Sequence, residues 1–251
     1  ISGLVILLTL TIPLLSMRLA LSDNGNRAEW QTARRAYDLL ADGFGPGFNG
    51  PLQLVAQVDE TITQDDLQAI TQAVQADPDV VFASPPFSAP NNLVIWKVIQ
   101  RESPQAEGTS LLVHRLRDDV LPTAIGDSSL VINVGGFTAI GVDLSDYFAE
   151  RIFLFVGAVL LLSFLLLMIV FRSLLVPLKA VIMNLLSIGA SYGIVVAIFQ
   201  WGWGSGLIGA GQAGPIDPFI PMMLFAIVFG LSMDYEVFLL SRMKEEFDRT
   251  G

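Results

Sequence analysis

Three long apolar runs stand out along this chain. Residues 152–171 and residues 180–200 contain no charged side chain, and residues 219–243 are apolar except near their end. A helix of about 20 apolar residues is long enough to cross the ~30 Å hydrocarbon layer of a bilayer. The pattern therefore predicts a membrane-spanning helix for each run.

The chain also opens in an apolar stretch, residues 1–17, which is shorter than a full span. We interpret residues 1–20 as a further spanning helix that is cut at its start. A secretory signal peptide is disfavoured, because neither a basic leader nor a small-residue cleavage pattern precedes Arg18.

The basic residues predict how the chain is oriented in the membrane. Five of them lie at the ends of the predicted spans: Arg172, Lys179, Arg242, Lys244 and Arg249. Short connections that carry Lys and Arg remain on the cytoplasmic side. The connection at residues 201–217 has neither, so we expect it to face outward, together with the long polar segment at residues 21–147.

The complete predicted order places one outward domain between the first and second spans. The segments are a truncated helix 1–20, an extracytoplasmic domain 21–147, helices 148–173 and 176–200, an outer loop 201–217, helix 218–243 and a cytoplasmic tail 244–251.

The outward domain has the pattern of a small α+β fold. We expect helices at 27–40, 64–75 and 109–121, and strands at 52–58, 80–83, 93–99 and 129–134. From residue 52 onward the order is βαββαβ, which is typical of a ferredoxin-like antiparallel sheet with helices on one face. The sequence thus predicts an α-helical polytopic membrane protein with an extracytoplasmic α+β subdomain.

Composition agrees with a membrane protein and excludes several functions. The chain is 53% hydrophobic and 15% charged, and residues 22–147 hold 17 acidic and 7 basic residues. This acidity disfavours nucleic acid as a partner, since a polyanion binds clustered Lys and Arg. There is no cysteine and a single histidine, His114, so we predict no metal, no cofactor and no catalytic residues. Gly45, Gly47 and Gly50 fit the G-x-G-x-x-G spacing of a dinucleotide-binding site, but a flexible loop is favoured, because a helix precedes them and a strand follows.

One acid lies within a predicted span. Asp234 is 8 residues before Arg242, or roughly 12 Å along a helix from the cytoplasmic basic belt. An ionised carboxylate inside the hydrocarbon costs about 2.5–3.5 kcal/mol, so such a residue normally faces protein or water and is functional. We interpret Asp234 as a proton carrier and Tyr235 as a hydrogen-bonding partner; the alternatives are a snorkelling acid and an interfacial aromatic residue.

Two sets of residues on the spans indicate helix packing rather than chemistry. Gly189, Gly193 and Ala197 recur every four residues, which lets another helix approach one face closely. Met222, Met223 and Met233 are interpreted in the same way.

The segment FGLSMDYEVFLLSR at residues 229–242 resembles the signature of the MMPL (mycobacterial membrane protein large) family of resistance–nodulation–division transporters. Three further stretches are similar to that family: GFGPGFNGPL at 43–52, FRSLLVPLKAVIMNLLSIGASY at 171–192 and FQWGWGSG at 199–206.

The resemblance implies an exporter with twelve spans in two repeats, each repeat carrying an outward porter domain. The glutamate that follows Asp234-Tyr235 is similar to the second repeat, so the N-terminal repeat and the last two spans would be missing here. It also implies that Asp234 and Tyr235 form half of a proton relay, facing the equivalent pair of the other repeat.

We therefore expect part of a proton-motive-force-driven exporter of lipids or other hydrophobic molecules in the cell membrane. The alternative is a membrane-anchored lipid-binding sensor or scaffold of the Patched or sterol-sensing type, without ion coupling. Membrane lipids and a hydrophobic substrate are the expected partners. Four aromatic residues are candidates to line a substrate path, although core packing is favoured for the third: Phe44, Phe48, Trp96 and Phe137.

Overall fold

The computed structural model separates the chain into two compact units. The helical unit comprises Ile1–Leu19 and Asp146–Gly251, and the sheet unit comprises Ala20–Ser145. The structure describes residues 2–59, 61–126, 128, 130–209 and 211–250.

The helices and strands follow one another along the described residues with short connections. The α-helices are α1 (Ser2–Thr11), α2 (Thr32–Phe44), α3 (Gln64–Gln75), α4 (Glu107–Arg115), α5 (Leu121–Ile125), α6 (Phe137–Phe171), α7 (Leu175–Val195), α8 (Ser205–Ile208) and α9 (Ile220–Thr250). The strands are β1 (Leu52–Gln57), β2 (Val80–Ala83), β3 (Phe87–Ala89), β4 (Leu93–Gln100) and β5 (Ile132–Gly135).

Three helices of the described chain are long and apolar enough to cross a membrane. They are Phe137–Phe171, Leu175–Gln200 and Ile220–Met243, and the apolar helix Ser2–Ser16 is shorter. The three predicted apolar spans are thus confirmed as helices of sufficient length. The first of them begins well before the apolar run, since no proline interrupts its sequence.

The turns between the spans use residues suited to helix ends. Arg172 adopts a positive φ of 48° between α6 and α7, which breaks the helical path. Pro177 and Pro221 lie in the first turns of α7 and α9. A proline there removes no intrahelical hydrogen bond, because the first N–H groups of a helix have no helical acceptor.

The helix α1 packs directly against the glycines of α7. A Cβ atom on Gly193 would lie 1.8 Å from the carbonyl oxygen of Leu10, and one on Gly189 would lie 3.0 Å from Cγ2 of Thr11. Ala197 follows in a single π-helical turn, Val196–Gln200, that continues α7. The absence of side chains at the two glycines therefore allows the backbones of α1 and α7 to touch.

The sheet unit contains a small antiparallel sheet, as predicted. Its strand order is β2-β4-β1-β5, and β3 pairs with β4 along the same edge as β2. Alternating residues of β1 are buried, as the period of two requires for a sheet with one covered face. The buried side of the sheet packs against α3 and α4.

Trp96 occupies the centre of this core, which confirms the packing role favoured for it. Its side chain is fully buried, and Nε1 donates a hydrogen bond to Oγ1 of Thr71 at 2.9 Å. Thr63 begins α3 with a capping box to Asp66, as the sequence indicates.

Several predicted boundaries are wrong, each for a local reason. The helix expected at 27–40 is α2, which begins later because Asp23 caps a short 3-10 turn, Asn24–Asn26, ahead of it. It ends at Gly45, whose φ is +90°. The strand β3 was missed because it has only three residues.

Two further differences concern the second half of this unit. The helix expected at 109–121 starts at Glu107 and continues through a π-helical turn, Leu116–Val120, into α5. The last strand starts at Ile132 rather than at 129, and residue 129 lies outside the described residues.

The glycines of the 43–52 stretch form a tight turn against the sheet. Residues Pro46–Asn49 are a 3-10 helix, and a Cβ on Gly47 would lie 1.7 Å from the carbonyl oxygen of Gln100. This close approach to β4 gives Gly47 a packing role.

An ion-pair cluster joins the end of α3 to α4. Arg115 Nε lies 2.6 Å from Oδ2 of Asp77, and Arg115 Nη2 lies 2.7 Å from Oδ2 of Asp79. Burial acts to raise the pKa of Asp77, but hydrogen bonds from Arg115 and from the backbone N–H of Asp79 outweigh it, so the pKa is lowered. The cluster therefore stabilises the folded state when Asp77 is ionised.

We expect Asp77→Asn to lower the free energy of unfolding at pH 7 and to flatten its dependence on pH. A carboxyl group with a lowered pKa stabilises the fold above its unfolded pKa of about 3.9, and this contribution is lost as the pH falls through the folded pKa. Denaturant unfolding between pH 7 and pH 3 measures both effects. Asp42→Asn, at an exposed position, is the control. An equal pH slope in wild type and Asp77→Asn would contradict the assignment.

Candidate functional site

The helix α9 carries Asp234 and Tyr235, and its orientation is fixed by a row of side chains on its opposite side. Phe225 and Phe229 are buried, and their rings stack with centroids 5.2 Å apart. Phe225 also meets the ring of Phe155 from α6 edge to face at 5.6 Å. These contacts hold one face of α9 against the rest of the helical unit.

The facing row on α7 has the same four-residue spacing. Asn184, Ile188 and Tyr192 are all buried, and the last two belong to one cluster with Phe225 and Phe229. The hydroxyl of Tyr192 donates to the carbonyl oxygen of Pro221.

The other end of this row lies beside the Asp-Tyr pair. Asn184 Nδ2 donates to Sδ of Met233 at 3.4 Å. The two helices therefore run antiparallel in a defined register, and Asn184 lies at the same level along α9 as Asp234.

Asp234 itself lies on a different side of α9. It is one residue, or about 100° of helical rotation, beyond Met233. Its neighbours at preceding helical positions are Gly230, Ile227 and Met223, and all four residues are exposed in this chain. We call this row the Asp234 stripe.

The Asp234 stripe offers room for close approach at one point. A Cβ atom on Gly230 would meet no atom within 4 Å. A small residue one turn from an acid on a candidate span lets the backbone of an incoming helix approach the acid closely.

Tyr235 lies next to this stripe and is 76% exposed. Asp234 and Tyr235 thus share one exposed side of α9, away from the Phe225–Phe229 row. The side chain of Glu236 lies outside the described residues.

Sequence reasoning did not single out the polar side chains on α7. Asn184 is 4% exposed and Tyr192 is 8% exposed, although both lie in a predicted span. The sequence could have indicated both residues. An amide or hydroxyl within an apolar run must form a hydrogen bond with another group when water is absent.

A second candidate region is a cavity in the sheet unit. It has a volume of about 800 Å3, and its apolar lining includes Leu40, Phe48 and Phe137. Phe44 stacks on Phe48 with ring centroids 4.7 Å apart, and Lys97 Nζ lies 5.0 Å from the centroid of the Phe48 ring. Three of the four aromatic residues that we considered for a substrate path therefore lie at or beside this cavity.

The lining of this cavity also contains polar residues. These include Asp23, Arg27, Asn49 and the phenol of Tyr37. Burial raises the pKa of Tyr37, and the nearby carboxylate of Asp23 raises it further, so the phenol is neutral at physiological pH. The cavity thus combines an apolar wall with hydrogen-bonding groups, as ligand sites commonly do. Among the described residues, no cluster of three or more His, Asp or Glu side chains is suited to a metal ion.

Comparison with known proteins identifies the family. The model of the MMPL family matches residues 50–250, which include the spans, the Asp-Tyr pair and most of the sheet unit. The chain belongs to the MMPL family.

MMPL relatives share this similarity across nearly the whole chain. Membrane protein YdfJ of Bacillus subtilis is 39% identical over 254 residues, covering 99% of this chain and 34% of YdfJ. Heme uptake protein MmpL11 of Mycobacterium tuberculosis is 35% identical over 217 residues, covering 84% of this chain and 22% of that protein. The mycolic acid-containing lipids exporter MmpL11 of Mycolicibacterium smegmatis is 31% identical over 261 residues, covering 100% and 27%. The chain spans about a third or less of the length of these MMPL relatives.

Proposed function

We propose that this chain is part of a proton-motive-force-driven exporter of lipids or other hydrophobic molecules, with Asp234 as the proton carrier. The observation that carries the proposal is an ionisable residue on an exposed stripe of a helix suited to span the membrane. The longer polypeptide to which this chain would belong is the complete transporter.

The energetics of a carboxylate in a membrane support a covered Asp234. An ionised aspartate that faces lipid costs about 2.5–3.5 kcal/mol, whereas one that faces protein or a water-filled cavity avoids that cost. The Asp234 stripe is exposed in this chain, and Gly230 leaves room beside it. We infer that another helix of the complete transporter covers the stripe, with water reaching the carboxyl group.

Protonation of Asp234 then couples the proton gradient to a change in the packing of the helices. Neutralising Asp234 removes a charge from a low-dielectric site and favours a different packing of the covering helix. Tyr235 lies on the same exposed side of α9, and its hydroxyl donates a hydrogen bond to a carboxylate of the covering helix. The equivalent pair of the first repeat is the partner that the family resemblance implies.

The sheet unit is the proposed outward porter subdomain. The loop at residues 201–217 lacks Lys and Arg, which favours an outward position for this loop and, by alternation, for the sheet unit. Its cavity of about 800 Å3 has the size and mixed lining of a site for an amphipathic molecule.

The relatives support a hydrophobic substrate without defining it. One is described as an exporter of mycolic acid-containing lipids and another as a heme uptake protein. Both kinds of molecule combine a large apolar surface with polar groups. We propose lipids as the substrate class and outward movement as the direction.

Proton flux in vesicles tests the function. The complete transporter is reconstituted in liposomes with an internal pH dye, and a lipid extract of the host membrane is supplied as substrate. We expect proton movement that depends on substrate, and substrate accumulation that collapses when a protonophore dissipates the gradient. Substrate binding with no proton movement would reject the transporter and favour the sensor or scaffold.

A further inference from the structure

A buried amide lies at the depth of the proton carrier. Asn184 is 4% exposed, although it belongs to a helix suited to span the membrane. A buried amide must be hydrogen-bonded in an apolar medium, and Asn side chains form such hydrogen bonds across membrane helix pairs. The partner of the Asn184 amide on the facing helix therefore matters.

The contact across the helix pair connects this amide to Asp234. Asn184 Nδ2 donates to Sδ of Met233, which directly precedes Asp234 in α9. A thioether sulfur is a weak acceptor, and the Phe225–Phe229 row already fixes which face of α9 packs against α7. The hydrogen bond adds a polar contact to this packing at the turn that carries the carboxyl group.

The register elsewhere in the pair is set by separate contacts. Tyr192 donates to the carbonyl oxygen of Pro221, 12 residues before Met233. At 1.5 Å per residue these two polar contacts are about 18 Å apart along α9. Among the described side chains, the helix pair therefore has a polar contact far from Asp234 and another beside it.

We propose that Asn184 is a positioning residue for the proton relay, acting through Met233 to hold Asp234 toward the covering helix. This inference rests on the proposed function and adds to it a residue outside the Asp-Tyr pair. Asn184 itself carries no proton and contacts no substrate in this account.

Few other ionisable groups are near enough to control the same step. Around Asp234, α9 offers Tyr235 and Glu236, whose side chain lies outside the described residues, and the described part of α7 offers exposed Lys179. The helix α6 contributes no ionisable side chain over residues 152–171. A change in pH dependence after substitution of Asn184 is therefore assigned to the Asp234 site when it persists in a Glu236→Gln background.

The test compares two variants, each of which removes the polar group of one buried side chain of α7. In Asn184→Leu the amide is replaced by an apolar group of similar volume, and in Tyr192→Phe only the distant hydroxyl is lost. Transport by the complete transporter is measured against external pH in vesicles, together with thermal unfolding. We expect Asn184→Leu to move the pH of half-maximal transport by about one unit, which is a tenfold change in apparent proton affinity. Tyr192→Phe should leave that pH unchanged.

Met233→Leu provides a second route to the same conclusion if Asn184→Leu does not fold. It retains the apolar volume and removes the sulfur acceptor, so it should move the half-maximal pH in the same direction. Residues that act as a pair give non-additive effects, so the double variant should shift no further than the larger single shift.

The outcomes distinguish failure of the positioning role of Asn184 from failure of the proposed transport function. The positioning role would be overturned if the half-maximal pH were unchanged in both Asn184→Leu and Met233→Leu while Asp234→Asn was inactive. The proposed transport function would still stand in that case. An equal shift in Tyr192→Phe would also overturn it, because general loosening of the pair would then explain the effect. Full proton-driven transport by Asp234→Asn would reject both.

Discussion

Asp234→Asn is expected to reduce proton-driven transport by the complete transporter about 100-fold or more, because an amide cannot accept and release the proton. The substitution keeps the shape of the side chain and removes only its ionisation. Asp234 is exposed in this chain and lies away from the Phe225–Phe229 row, so the helical unit should fold as before. Substrate accumulation under an imposed pH gradient measures the effect.

Two variants separate loss of the proton carrier from loss of charge in general. Asp42→Asn removes a negative charge from an exposed position of α2 and should transport at the wild-type rate. Asp234→Glu retains an ionisable group and should keep part of the activity. Wild-type transport by Asp234→Asn would show that the proton follows another path.

Gly193→Ala should have the largest effect on the stability of the helical unit. The added Cβ would lie 1.8 Å from the carbonyl oxygen of Leu10, which is backbone and cannot rotate away. The helices α1 and α7 must then separate, and overpacking of this kind typically costs about 1–3 kcal/mol. We expect a lower midpoint of thermal unfolding in detergent and a lower yield of folded protein.

Gly157→Ala is the matched control for this prediction. Gly157 lies in the apolar part of α6, and a Cβ there would meet no atom within 4 Å. Its unfolding midpoint should stay at the wild-type value or rise slightly. If Gly193→Ala were as stable as Gly157→Ala, the close contact between α1 and α7 would be wrong.

Much of the architecture follows from patterns that depend on few residues. The apolar runs predict the spans because the bilayer fixes the required length, and α3 was located correctly at residues 64–75 by its apolar period. The antiparallel sheet followed from alternation in strands such as β1. These signals are local in sequence.

Long-range contacts explain what sequence reasoning missed. The role of Asn184 depends on the register between α7 and α9, which no single segment encodes. Likewise Gly47 looked like part of a flexible loop, whereas its contact with the backbone of Gln100 is created by the fold. The start of α2 was missed because Asp23 caps a separate turn before it.

The spacing of small residues on α7 illustrates what a sequence pattern can predict. The four-residue repeat of Gly189 and Gly193 indicates a close helix contact but does not name the partner, which in this structure is α1. In the same way, the sequence predicts that Asp234 lies within a spanning helix but does not identify the helix that we propose to cover it.

The most direct test of the central claim is infrared difference spectroscopy of the complete transporter in lipid vesicles. The account predicts that acidification outside the vesicles produces a carboxylic acid C=O band that reverses when the pH is raised. This band should be absent from Asp234→Asn and present in Asp42→Asn. An identical band in Asp234→Asn and wild type would contradict the account, because Asp234 would then not be the group that takes up the proton.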